Sequence, residues 1–577
     1  MNSHSHAFAS PARLTTHCRL HTLIALAGVL FMFAIAVAWH IELPGLYMDA
    51  VNPDYLVVDL INGPSATSPI WILPGNMLAH RVPVLTSFYH GTLNMWLALP
   101  FVAMFGPSVA ALRAAQALAG AAILMTMILL VRDRRAPITL WLASLSAVAL
   151  ALDPVFVYAF RTQLYIQLCP VALLLAALLA GRRALSQEFA AIGAAQQYWL
   201  LAAGFCYGLS IFGYFIFVFF APALCAALLL QTVRATPLIP RWHLVRILFF
   251  TATGCALGLG GYFIGYLGIA LQEKGVQGFL AYFSEYQHSL GAFDQHRQLG
   301  ETIAYFANLI WRICSNDWQH SLMFADAWPE PGSILKMLWL FLLPALVWIA
   351  CELRATPQAR NLRLVWSLII CFPLVALLFG DRLSGHHFVV LLPLAYLALG
   401  FAVRALAEAN AVGKTIAALA CTVALATNII GLRTTGAELL QTHGRGLFSD
   451  AINHLASDAS AAQSGGETQF FFFPDWGLFM PFHFLTNGRI RHSTDLSPEA
   501  MRAELCRGQS VKVAFVTGDT SARARALATA IEWNTPRLQP YLSAEGSPVF
   551  TVATFTSSPA DAFNVPACKT KDANKTS

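Results

Sequence analysis

Charge is what this chain has least of. Only 11% of its 577 residues are Asp, Glu, Lys or Arg, while 57% are hydrophobic. An ordinary soluble domain carries about 25% charged residues, so the deficit excludes a soluble globular protein. Several functional signatures are missing too. The sequence has no G-x-x-x-x-G-K-[ST] phosphate loop, no G-x-G-x-x-G fingerprint and no G-x-S-x-G elbow. Nothing therefore points to ATP, to a dinucleotide or to a nucleotide-sugar fold. The 11 cysteines form no Cys-x-x-Cys pair, which removes the usual zinc and thioredoxin readings. The formal charge of +6 comes from short basic clusters scattered between apolar runs. That distribution reads as membrane topology, with no nucleic acid as partner.

Long apolar runs are what the chain has instead. A helix needs roughly 20 mainly apolar residues to cross a bilayer. Runs of that kind predict spans near 22–41, 110–131, 136–157, 163–181, 197–213, 214–233, 245–271, 335–351, 364–380, 387–404 and 414–432. The expected fold is an α-helical polytopic membrane protein with about 11–13 spans. The charge-free stretch 197–233 is read as two short passes, with Gly204, Gly208 and Gly213 allowing a break. Segment 91–106, "GTLNMWLALPFVAMFG", is too short to cross and is read as a helix in or dipping into the outer interface.

With a cytoplasmic N-terminus, Arg132, Arg134, Arg135, Arg182, Arg183, Arg241, Arg246, Arg354, Arg360, Arg363 and Arg404 fall inside, and acids dominate the outer loops 42–109 and 272–334. This is the positive-inside pattern. The membrane module is taken as 1–432. Residues 433–577 return to a soluble composition, with strand-like "TQFFFFP", "VKVAFVTG" and "PVFTVATF" alternating with helix-like "SARARALATAIEW". They predict a small extracytoplasmic α/β domain. Cys506 and Cys568 both fall in it and are candidates to pair.

The first outer loop opens with "LYMDAVNPDYLVVDL", which sets Asp49, Asp54 and Asp59 just beyond the first span. A carboxylate held at a membrane surface is costly without a task or partner, and that singles out Asp49. Asp54 is kept as a second candidate and Asp59 is read as a solvated loop residue. Arg161 and Arg382, at the ends of apolar helices, have the fork geometry that grips a phosphate; an interfacial anchor and a salt bridge to Asp381 are the plainer readings. His386 and His387 are candidates for phosphate or acceptor binding, as Tyr165 is for the donor. Loop 272–334 mixes carboxylates, His and aromatics, as a sugar-binding surface does, with Glu285 and Asp294 as further acids.

The order of these features resembles the GT-C fold glycosyltransferases that use polyprenyl-phosphate sugars, the group that includes protein mannosyltransferases, the lipid A aminoarabinose transferase and the RgtA/B/C/D-like bacterial enzymes. "YMDAVNPDY" stands at the acidic motif, with Asp49 at the acidic position. "FYHGTLNMWLALPFVAMFGPSVAALR" follows with His90, Phe105-Gly106 and Arg113, and "DPVFVYAFRTQLY" with Asp153-Pro154, Arg161 and Tyr165. The second acid of the motif is Ala50 here, and the His-Pro-Pro turn is His90-Gly91-Thr92. What the resemblance implies is sugar transfer on the extracytoplasmic face of a cell membrane. The donor is a polyprenyl-phosphate-linked sugar among the membrane lipids, and the acceptor a lipid, glycan or protein. A divalent metal is left open, because such an ion wants several oxygen ligands. The competing classes are a polytopic transporter and a non-catalytic or polymerase-type component of envelope polysaccharide assembly.

Overall fold

The structure is a computed structural model. It describes residues 11–63, 83–132, 137–159, 161–162, 168–185, 193–235, 241–289, 298–327, 332–475, 477–516 and 518–556. All eleven apolar stretches contain helix. Among the described residues seven helices are long and apolar enough to cross a membrane, from Leu20–Ala38 to Ala411–Thr442, and Trp242–Gly258 with Gly260–Gln272 makes an eighth as a pair bent by 53°. The other three stretches become Pro137–Ala151, Ala194–Gly213, and Phe215–Phe220 running into Ala221–Ala235. By length and composition together, the span count is therefore lower than expected.

Large apolar side chains such as Phe31, Ile35, Leu346 and Leu419 are exposed along the long helices. That surface matches a lipid environment and would be a liability in water. The chain is a multi-pass membrane protein. Helix starts carry their own caps: Ser108 Oγ accepts from the Ala111 amide at 3.2 Å and Asn410 Oδ1 from the Gly413 amide at 2.8 Å.

Two of the glycines of 197–213, Gly204 and Gly208, do a different job from the one expected. Helix Ala194–Gly213 lies against Arg241–Gly258 so closely that a Cβ on Gly204 would sit 2.0 Å from the Thr251 carbonyl oxygen, and one on Gly254 2.1 Å from that of Leu201. Gly208 and Gly258 repeat the contact one turn on. They form a small-residue seam that lets two backbones touch. The break falls after Gly213, where Tyr214 is extended at φ −158°. Segment 91–106 forms helix Leu93–Phe105, only about 20 Å long at 1.5 Å per residue and short of the hydrocarbon thickness.

A short antiparallel hairpin, β1 (Leu85–Ser87) and β2 (His90–Gly91), precedes that helix. The last apolar helix, Ala411–Thr442, leads into a five-stranded mixed sheet. Its strands are β3 (Gln469–Phe472), β4 (Arg491–Ser493), β5 (Ser510–Phe515), β6 (Arg537–Leu542) and β7 (Pro548–Phe555), in the order β4-β3-β5-β7-β6. Helices Pro498–Cys506 and Thr520–Ala530 bury one face around Phe470, Phe472, Val511, Val513 and Phe555. Helices Ala451–Ser464 and Phe479–Leu485 lie on the other side.

This C-terminal part rests on the segment that follows the first helix. The Gly45 amide donates to the Phe448 carbonyl at 2.9 Å, and Tyr47 packs on the Phe448 ring. Asp59 is not a solvated loop residue: it is buried and meets His483 Nε2 at 3.0 Å. The bundle face that carries this contact is the domain face. The opposite face gathers bases, with Arg182 donating to the Leu130 carbonyl and Arg404 to that of Val131 at 3.0 Å.

Candidate functional site

The domain face holds the acidic loop in place with two fully buried arginines. Arg161 Nη1 donates to the carbonyls of His40 and Leu43, both at 2.9 Å, and Nη2 to those of Val37 at 2.7 Å and Trp39 at 2.9 Å. Arg113 donates to Ile41 at 2.8 Å and Pro44 at 2.7 Å. The carbonyls at a helix C-terminus have no partner within the helix, and these guanidinium groups supply partners for Val37 and for the turn beyond it. This corrects the expectation that Arg161 forks onto a phosphate. Its terminal nitrogens are occupied by the chain itself.

Beyond the turn, Asp49 lies in the 3-10 turn Met48–Ala50; its side chain, like Tyr165 and Asp294, lies outside the described residues. Asp54 is fully buried, and its Oδ2 accepts from Gln116 Nε2 while Oδ1 has no partner. Burial raises its carboxyl to about 8, with the Gln116 hydrogen bond pulling the other way. Burial therefore favours its neutral form.

Asp153, of the Asp-Pro element, caps the short helix Pro154–Ala159 through the Val155 amide at 2.8 Å. Its other oxygen takes Lys336 Nζ and the Tyr396 hydroxyl, both at 2.6 Å. This buried pair ties three parts of the bundle together.

A second cluster forms around His90. The hairpin turn that carries it is clamped by main-chain bonds: the Tyr266 hydroxyl donates to the Phe88 carbonyl at 2.6 Å and the Phe215 amide to that of Tyr89 at 3.0 Å. Phe88 is buried among Tyr266, Phe279, Tyr282, Phe283 and Tyr286, with ring centroids 4.9–6.1 Å away. The substitution of the Pro turn by Gly91 has a local cause. A Cβ there would meet the Phe212 carbonyl oxygen at 2.4 Å.

So held, the His90 ring lies 4.8 Å from Tyr214, which stacks on His387 at 5.8 Å, and His386 adjoins His387 at 4.0 Å. The Ser384 amide donates to His387 Nδ1 at 3.0 Å, a contact that needs an unprotonated Nδ1 and puts the ring proton of the neutral form on Nε2. His90 Nε2 is buried with no hydrogen-bond partner. Burial, with the neighbouring His387, lowers His90 to about 4. Next to it, the Tyr89 hydroxyl accepts from Gln287 and feels the charge of Arg382, which is exposed.

Three expected residues, His90, His386 and His387, are thus brought to one place, with Arg382 exposed at the rim, while Glu285 is exposed on helix Val276–Ser289. Sequence reading missed Tyr89, Tyr214 and Ser384. Tyr214 had a signal, a polar ring directly after the glycine that ends a charge-free run. Among the described residues no three His, Cys, Asp or Glu side chains converge as a metal set.

No protein-family model matches this chain, and neither does any curated protein. Its likeness is to solved structures. The apo form of ArnT from Cupriavidus metallidurans superposes with a TM-score of 0.57 at 12% identity, over 92% of this chain and 97% of that one. The same protein bound to undecaprenyl phosphate gives 0.59 at 13%, over the same shares. The oligosaccharyltransferase of Archaeoglobus fulgidus, in a complex with zinc and sulfate, gives 0.46 at 13%, over 88% and 70%. With the ArnT structures the chain shares the GT-C fold along nearly its whole length, as the order of its motifs implied.

Proposed function

We propose that this GT-C chain is a membrane glycosyltransferase that moves a sugar from a polyprenyl phosphate to an acceptor hydroxyl at the domain face. The observation that carries the reading is the His90 cluster: a buried nitrogen without a partner, next to Tyr89, which feels the charge of Arg382, in a fold of which one solved structure was caught with undecaprenyl phosphate. In the reaction the acceptor oxygen attacks the anomeric carbon, the bond to the phosphate oxygen breaks, and the phosphate leaves with the electron pair. Asp49 takes the hydroxyl proton. His90 Nε2, His387 Nε2–H and Arg382 meet the charge that builds on the leaving phosphate.

The domain face is read as extracytoplasmic. Bases collect on the opposite face, and Cys506 in the sheet domain is disulfide-bonded; both fit that orientation. Its expected partner Cys568 lies outside the described residues.

The test is turnover of a synthetic polyprenyl-phosphate sugar by purified protein. Asp49→Asn is expected to lose transfer by at least about a hundredfold while still binding donor. His90→Gln is expected to weaken donor use about ten- to hundredfold at an unchanged melting temperature. Transfer retained by the first variant removes Asp49 as base. Donor kinetics unchanged in the second remove the cluster as phosphate site.

A further inference from the structure

The sheet domain contains a cavity that the reaction above does not use. One face of the sheet is sealed by helices, but on the other, helix Ala451–Ser464 leaves β5, β7 and β6 partly open, and a cavity of about 470 Å³ remains. Its size is that of a small-ligand site. Asp458 and Glu467 line it on the helix side, Ser510 and Lys512 come from β5, and Trp533, Asn534, Gln539 and Tyr541 complete it from the β6 side.

The strand period explains why so polar a set sits there. Val511, Val513 and Phe515 turn to the sealed face, so Ser510 and Lys512 turn to the open one, and Lys512 pairs across the ladder with Thr554. The groups are held before any ligand arrives: the Tyr541 hydroxyl donates to Asp458 at 3.0 Å, Lys512 Nζ to Gln469 Oε1 at 2.8 Å, and Trp533 Nε1 to the Thr556 carbonyl at 3.1 Å. Ser510 Oγ is buried with no partner among the described residues.

The chemistry selects one ligand class. The lining holds two carboxylates, Asp458 and Glu467, and two cations, Lys512, which Glu467 answers at 3.3 Å, and Arg537 at the exposed rim, so its charges balance and a phosphate or nucleotide gains no net attraction. A lipid tail would bury carboxylates and amides unpaired. A sugar suits the set, since its hydroxyls both donate and accept and its ring faces lie on fixed aromatics.

We infer that this cavity binds a saccharide of the acceptor, so that the acceptor of the proposed transfer is a glycan or glycolipid held by the domain that rests on the Asp49 loop. The inference rests on the proposed function for the word acceptor, and its test separates the two. Full-length protein in nanodiscs is titrated with a panel of neutral hexose tri- and tetrasaccharides by saturation-transfer NMR, with Trp533→Ala, Gln539→Ala and Asp49→Asn alongside wild type. Saccharide binding is expected in wild type and in Asp49→Asn. It should weaken at least about tenfold in Trp533→Ala and Gln539→Ala, about 1.4 kcal/mol, with melting temperature and donor binding unchanged. Where transfer is measurable, the same two variants raise the acceptor KM and leave kcat alone. Binding without any transfer overturns the proposed function and keeps the cavity. No saccharide binding, or binding untouched by both cavity variants, overturns the cavity.

Discussion

Two buried polar clusters occupy the same face of the bundle and are completed in opposite ways. Around Arg113 and Arg161, four terminal guanidinium nitrogens meet six main-chain carbonyls between Val37 and Pro44. Around His90, the backbone is fully tied while the ring nitrogen at its centre has nothing to bond. Buried polar groups are nearly always satisfied, so an orphan asks for a partner from outside. The comparison teaches that charge and burial alone do not mark a site. Arg113 Nε is left over as well, but its guanidinium is anchored by main-chain carbonyls through both terminal nitrogens, whereas the open nitrogen of His90 sits on a ring packed against other rings.

The largest expected effect comes from the completed cluster. Arg161→Ala strips four carbonyls of their donor in a dry setting, where each orphaned group costs about 1–3 kcal/mol, and the protein should fail to accumulate in the membrane. Arg161→Lys offers one nitrogen where two serve now, and should recover only part of the yield. Size-exclusion and thermal melts of the detergent extract read this. Normal yield of Arg161→Ala with lost donor affinity would reverse the comparison and return Arg161 to the phosphate.

Much of this was legible. Uninterrupted apolar runs placed every one of the eleven helical stretches, and short apolar β-rich runs placed β3, β5 and β7, because each pattern depends on local residues alone. His90, His386 and His387 were each singled out one by one, but their meeting through Tyr214 was not. What stayed hidden depends on approach between distant segments. An Arg at a helix end reads equally as phosphate fork or carbonyl clamp until the turn at 37–44 is seen beneath it. Asp59 looks solvated until His483 arrives from the far domain. Gly204 and Gly208 read as a hinge because their partners, Gly254 and Gly258, lie on another helix.

Asp54 lies between the two clusters in kind, with one oxygen bonded to Gln116 and one left over. Its carboxyl is raised in the fold from 3.8 to about 8. The stability it contributes is therefore fully present below about pH 4 and is lost as pH rises to about 8, at about 1.4 kcal/mol per pH unit. Asp54→Asn, which keeps the shape and cannot ionise, should remove this slope. Melting curves between pH 5.5 and 8.5 should show wild type falling relative to the variant. Parallel curves would mean that Asp54 is ionised in the fold and belongs with the reactive groups.

The smallest effect belongs to Arg382, whose exposed guanidinium works through water. Its charge reaches the Tyr89 phenol, so it stands at the rim of the His90 cluster and not within it. Exposed charges contribute about 0.2–1 kcal/mol and are screened by salt. Arg382→Gln should raise the donor KM only about two- to fivefold at low ionic strength, and the difference from wild type should shrink as salt is added. A buried contact would behave otherwise, because screening by salt falls off inside the protein. A salt-independent loss of tenfold or more would place Arg382 directly on the phosphate, and the unfilled bonding capacity of the site would then extend from the His90 nitrogen out to the protein surface.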